Sequence, residues 1–217
     1  METKDLAAGS AAAAKKTVTV EIATNDIKTL RENGYALCVA KKVEGAAYAE
    51  YDVVWQAYGR YFASNEFSWT PQFQVFGSIR FMPPQSVEIN TQLADMRLGE
   101  QITLENNATF NRPTVGGDPT ALNLINKYGP LNFGIRQSFT SIDGNTAFGP
   151  MFVTPDRKAE GTFSLKPVDK VLIWFEQNVN PSTVFMGARA RAIELDLTGT
   201  DRAICRYEND HWSIVRG

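Results

Sequence analysis

Val18, Val20 and Ile22 alternate with Thr17, Thr19 and Glu21, which is the period of a strand with one buried face. Thr24-Asn25-Asp26 then offers capping oxygens, Ile27 and Leu30 lie one helical turn apart, and Gly34 can stop the turn. One short helix is predicted there, and Tyr35 to Val43 returns to extended structure. Beyond it the strand period dominates. Tyr51 to Gln56, Gln72 to Phe81, Ser86 to Thr91 and Gln101 to Leu104 are predicted strands. Turn formers at Ser64-Asn65, Pro83-Pro84 and Leu98-Gly99 punctuate them. Arg112 to Pro119, rich in Gly and Pro, reads as an exposed loop. Asn132 to Phe139 and Ala147 to Val153 form a strand pair joined through Asp143-Gly144, a strong tight-turn signal. Val168 to Phe175 is apolar on both parities, as a strand buried on both faces is.

The C-terminus predicts a three-stranded antiparallel meander, turned at Thr198-Gly199-Thr200 and again at Asn209-Asp210. In that register Ile193 faces Cys205 and Leu195 faces Ala203, while Tyr207 pairs with Trp212 and Cys205 with Ile214. Many short strands with regular turn punctuation and a single helix predict an all-β, mainly antiparallel, single-domain β-sandwich. Residues 1–16, small, polar and alanine-rich, read as a flexible arm, and 17–217 as the sandwich.

Size and charge narrow the function classes. A chain of 217 residues buries enough surface to fold without a disulfide or metal. The net charge of −2 lacks the basic stripe of a nucleic-acid-binding domain. The pairs Lys15-Lys16 and Lys41-Lys42 read as solvated strand ends rather than a phosphate track. Cys38 and Cys205 match no zinc or redox spacing and are expected to be free thiols. No run is long and apolar enough for a transmembrane segment, and no leader of signal-peptide length is recognisable. The expected location is the cytoplasm, or outside the cell after release without a signal peptide.

Catalytic and cofactor motifs are missing from the pattern. The single histidine, His211, sits in Asn209-Asp210-His211-Trp212, which reads as a turn entering the last strand. Gly116-Gly117 lacks the context of a phosphate-binding loop. No cofactor and no metal site is expected. Glu176, Glu194 and Asp196 are the candidates for a carboxylate-based hydrolase, although Glu194 and Asp196 share the parity of an ordinary solvent face.

Aromatic residues give the one signal above background: nearly half of them fall between Tyr48 and Phe81. Trp55, Phe73, Phe76 and Phe81 read as core. Tyr58, Tyr61, Phe62, Phe67 and Trp69 gather around Gly59 and Ser64-Asn65, where the chain is expected to bend, and are the candidate ligand-binding residues on a surface loop. The layout of arm, β-sandwich and aromatic loops resembles that of actinoporin-like cytolysins and fungal fruit-body lectins. This is a likeness of architecture from which no residue role carries over. The aromatic loop, the single histidine and the missing catalytic spacing point to a non-enzymatic binding protein that recognises a membrane surface (lipid headgroup), a glycan or a protein. The alternatives are a self-assembling homo-oligomer and the carboxylate hydrolase.

Overall fold

The alternating segments become strands because each buries one row of side chains and hydrogen-bonds its backbone to neighbours. The computed structural model describes residues 14–45, 48–185, 187, 189 and 191–215, with the backbone alone for 48–50. Residues 1–13 of the expected arm lie outside the described residues, and Lys16 already belongs to the first strand.

The elements run β1 (Lys16–Ile22), α1 (Thr24–Glu32), β2 (Tyr35–Gly45), β3 (Tyr48–Glu50), β4 (Gln56–Tyr58) and β5 (Ser64–Ser78). Next come β6 (Ala94–Met96), β7 (Glu100–Leu104), β8 (Thr114–Val115), β9 (Leu122–Asn126) and β10 (Asn132–Thr140). The chain continues with β11 (Thr146–Val153), β12 (Gly161–Gln177), β13 (Ile193–Asp196), β14 (Arg202–Glu208) and β15 (His211–Val215). They form two mixed sheets of a β-sandwich. One is ordered β11-β10-β5-β1-β14-β15, with β6 also on β5. The other is ordered β3-β2-β12-β9-β7-β8, with β13 on β12 and β4 on β2. Two ladders are parallel, β1 with β14 and β7 with β9, and the rest are antiparallel.

Inward rows of both sheets meet in one core. Val18 and Val20 of β1, Phe67 of β5 and Ile135 of β10 pack with Leu37 and Val39 of β2 and Val171 and Ile173 of β12. Helix α1 closes one end through Leu30 and Ile27, and Gly34 at φ 70° ends it as predicted. A second cluster, of Cys38, Ala40, Val54, Trp174 and Phe185, lies on the other face of β2 and β12. Over Val171 to Phe175, β12 therefore packs on both faces, as that apolar run implied. Both cysteines are buried and free.

The predicted strand from Tyr51 to Gln56 does not form: Val53 makes only an isolated bridge to Val184, and β4 begins at Gln56. Two further expectations need correction. The predicted meander splits between the sheets: β13 pairs with β12, and β14 pairs with β1 in the opposite sheet. The physical reason is an open strand edge on each side. Crossing between the layers satisfies both edges and still buries Leu195 and Leu197. The β14–β15 hairpin keeps the predicted register, Cys205 opposite Ile214 and Tyr207 opposite Trp212, with Asn209 and Asp210 at positive φ as its tight turn requires. Ser86 to Thr91 is the second correction. It forms no strand, only an isolated bridge between Ser86 and Thr183.

Candidate functional site

Four strands break their inward apolar row with a polar residue at the same end of the sandwich. In β1 the row Val18, Val20, Ile22 begins at Lys16; in β2 Lys41 stands between Val39 and Val43. In β10 Gln137 follows Phe133 and Ile135, and in β12 Asp169 shares the parity of Val171 and Ile173. Period two sends all four side chains toward the space between the sheets.

Two irregular ladders make room for them. Strands β12 and β2 pair as far as Pro167 with Val43 and resume at Val171 with Lys41, so residues 168–170 bulge opposite Lys42 alone. Strands β10 and β5 pair at Gln137 with Phe73 and resume at Phe139 with Trp69, so residues 70–72 bulge opposite Ser138. Bulges re-aim side chains and part the layers locally, and they are common beside functional sites. Here they border a cleft of about 280 Å³ walled by Trp69, Pro71, Phe73, Leu98, Pro167 and Val168.

Lys41, Lys16, Gln137 and Asp169 also line this cleft. Lys41 is only 1% exposed, although it is a charged residue. Its Nζ lies 4.2 Å from the centre of the Trp69 ring. Its ion-pair partner is Asp169, whose Oδ1 lies 3.8 Å away, longer than an ordinary hydrogen bond. Burial pulls the Lys41 ammonium down to about 7 from its ordinary 10.5. The carboxylate of Asp169 opposes that fall, and the nearby charge of Lys16 adds to it. Asp169 bridges the site: its Oδ2 lies 3.7 Å from Lys16 Nζ, and its Oδ1 accepts the Trp69 indole N–H at 3.4 Å. Lys16 is tethered by the carbonyls of Leu197 and Thr200 and by Asp201 Oδ1. Gln137 donates to the carbonyl of Thr70 at 3.0 Å, while its buried Oε1 finds no partner among the described residues. A buried amine, a displaced titration and an unmatched acceptor around one cleft mark a candidate site.

The expected aromatic surface loop is a correction. Residues 59–63 bend, but Ser64-Asn65 opens β5 instead of turning. The Asn65 amide donates to the carbonyls of Phe62 and Val20, and its Oδ1 accepts the Phe62 N–H, so the side chain closes the bend from within. Tyr58, Tyr61, Phe67 and Trp69 are buried, and Phe62 alone is exposed, at 58%. Neighbouring elements cover the bend: Tyr61 donates its hydroxyl to the Tyr35 carbonyl, its own carbonyl accepts from Arg31 of α1, and Phe67 stacks on Trp69. Of the five, only Trp69 reaches the cleft.

The other candidates do not converge. Glu194 and Asp196 project from the outer side of β13 and share Lys170, at 3.7 and 3.0 Å. Hydrogen bonds from Thr198 hold the Asp196 carboxyl down to about 2, and Lys170 assists. Glu176 instead accepts the Trp174 indole N–H at 2.7 Å and pairs with Arg189. His211 is exposed at the start of β15. Among the described residues no group of three or more His, Cys, Asp or Glu is placed to hold a metal ion, and no helix is long and apolar enough to cross a membrane. A larger depression of about 1140 Å³ shares Pro71, Phe73 and Leu98 with the cleft, but none of its charged residues is buried.

Lys41-Lys42 is not a solvated strand end. The signal that betrays Lys41 was in the alternation: it occupies the parity of Leu37, Val39 and Val43, so a regular strand aims it inward. In comparison with known proteins, no family model, no curated protein and no solved structure matches this chain.

Proposed function

We propose that the protein is a binding protein that takes a small, largely apolar molecule into the cleft between its sheets. The supporting observation is the pair of facing bulges, which opens a cleft whose walls are apolar and whose only deeply buried charge is Lys41. Apolar walls with a few convergent polar groups are the usual make-up of a small-molecule site, and the volume lies at the small end of such sites. Recognition of a lipid surface or glycan by aromatic side chains loses support, because it would rest on Phe62 alone among the five residues. Binding moves from the expected loop to the interior, and Trp69 is the residue the two readings share.

The test uses two small uncharged probes, 1-butanol and cyclohexanol, with the indole N–H signals of the four tryptophans as reporters in proton–nitrogen NMR. Binding in the cleft shifts the Trp69 signal and leaves Trp212 in place, and Leu98→Trp at the exposed rim abolishes the shift. A Trp69 signal that ignores both probes, or that shifts unchanged in Leu98→Trp, contradicts the reading.

A further inference from the structure

We propose that Lys41 captures the carbonyl group of an aldehyde or ketone that enters the cleft, forming a Schiff base on Nζ. This inference rests on the cleft being a ligand site and adds the chemical class of the ligand. Three observations on geometry carry it. The amine is sequestered between the sheets yet lines an open volume of about 280 Å³. Its carboxylate neighbour is Asp169, with Oδ1 at 3.8 Å in a long ion pair, and a carboxylate, which only accepts hydrogen bonds, leaves the lone pair of the free amine uncommitted. Lys16 places a second cation on the far side of the same carboxylate, at 3.7 Å. Lysine is activated as a nucleophile by an apolar surround and by a neighbouring cation, and this site has both. The fall of the Lys41 ammonium to about 7 fits, because roughly half the population is then a free amine at neutral pH.

The chemistry balances with the groups present. The nitrogen lone pair attacks the carbonyl carbon, the C–N bond forms, and the carbonyl π pair moves to oxygen. The Asp169 carboxylate takes a proton from the new C–N ammonium and delivers it to that oxygen, giving a carbinolamine. The unpartnered Gln137 Oε1 supplies an acceptor for the carbinolamine hydroxyl. A second proton passes from nitrogen to the hydroxyl by the same carboxylate. The C–O bond breaks, water leaves, and the imine remains. Asp169 ends as it began, and no oxidant or reductant is consumed. Asp169 is partly exposed, at 40% of its side chain, which gives the water a way out. The walls of Trp69, Pro71, Phe73, Leu98, Pro167 and Val168 favour a short uncharged carbonyl compound over a charged one.

The experiment incubates the full folded chain with butanal and sodium cyanoborohydride, which reduces any imine to a stable secondary amine, and maps the added mass to individual lysines. Lys41 is expected to label at least about tenfold faster than exposed Lys28 at pH 7, as an activated amine should. The Lys41 rate rises through a midpoint near 7, and Asp169→Asn moves that midpoint lower, because the carboxylate favours the ammonium. Lys41→Met removes the fast-labelled site and leaves Lys28 unchanged. Labelling that follows exposure, with Lys41 spared, overturns the proposal. A Lys41 midpoint near 10 does so as well. The two readings fail separately. If 1-butanol moves the Trp69 indole while butanal leaves no adduct on Lys41, the cleft binds but the amine does not react. If neither probe reaches Trp69 and Lys41 stays unlabelled, the cleft reading itself is lost.

Discussion

Phe62 and Phe67 stand five residues apart in the same aromatic stretch, and their environments could hardly differ more. Phe62 is exposed on the bend, whereas Phe67 is 1% exposed between the sheets and stacked on Trp69. Phe67→Ala is expected to cost about 3–5 kcal/mol of unfolding free energy, and Phe62→Ala less than about 0.5 kcal/mol, in denaturant titration. Equal costs for the two would contradict the burial described. Lys41 makes the opposite kind of contrast, a charge where its neighbours are apolar. The sign of its pH effect follows from protons bound. Below pH 7 the native and unfolded states both hold the proton, and the native state bears the cost of a buried charge. Between pH 7 and 9 the native amine sheds it while the unfolded chain keeps it, so stability rises with pH, by about 2–3 kcal/mol. Above pH 9 burial holds the Cys38 and Cys205 thiols protonated to about 12, and the unfolded chain, which ionises first, regains ground. Lys41→Met should therefore be more stable than the parent at pH 6, by about 1–4 kcal/mol, and lose the rise between pH 7 and 9. Asp169 keeps Lys16 as its partner in that variant. A less stable variant at pH 6 would show that Lys41 is not a buried charge.

Among the elements, the β14–β15 hairpin was readable from the sequence, since one register alone puts Tyr207 against Trp212 and Asn209-Asp210 into the turn. The rings meet at 4.9 Å in an edge-to-face contact, and Trp212 also stacks on Phe175 at 5.5 Å. Its indole N–H donates to the Arg191 carbonyl. Trp212 is only half-buried, so Trp212→Ala is expected to cost about 1–3 kcal/mol by chemical denaturation, less than the loss of a fully buried tryptophan. A cost above about 4 kcal/mol would place it in the core. The partner of β13 was not readable. Its alternation fits either sheet equally well, and the choice is made by open edges on β1 and β12 that only the assembled fold presents. The bulges were hidden for a related reason. A stretch of three residues opposite one keeps its own parity, so Phe73 and Val171 alternate correctly on both sides of an interruption that is visible only in the pairing. The aromatic stretch failed differently. Turn formers at Ser64-Asn65 were read as exposure, yet an asparagine side chain can close a bend from inside the protein.

At the scale of the whole molecule, the sandwich follows from many short alternating strands, and the interior position of the cleft follows from where four of those alternations are broken together. Both thiols are buried and free, so alkylation with iodoacetamide under native conditions should leave Cys38 and Cys205 unmodified, while unfolded protein takes two labels. Rapid native labelling would contradict their burial. The central claim is a lysine held between the sheets in a ligand-sized cleft, and its titration tests this most directly. Lysine labelled with carbon-13 at Cε, assigned with Lys41→Met, gives each side chain its own pH curve in NMR. The account predicts a Lys41 midpoint near 7, well below the ordinary 10.5 of a lysine. A Lys41 midpoint at the ordinary lysine value of about 10.4 would mean that the amine is solvated and that the cleft holds no buried charge.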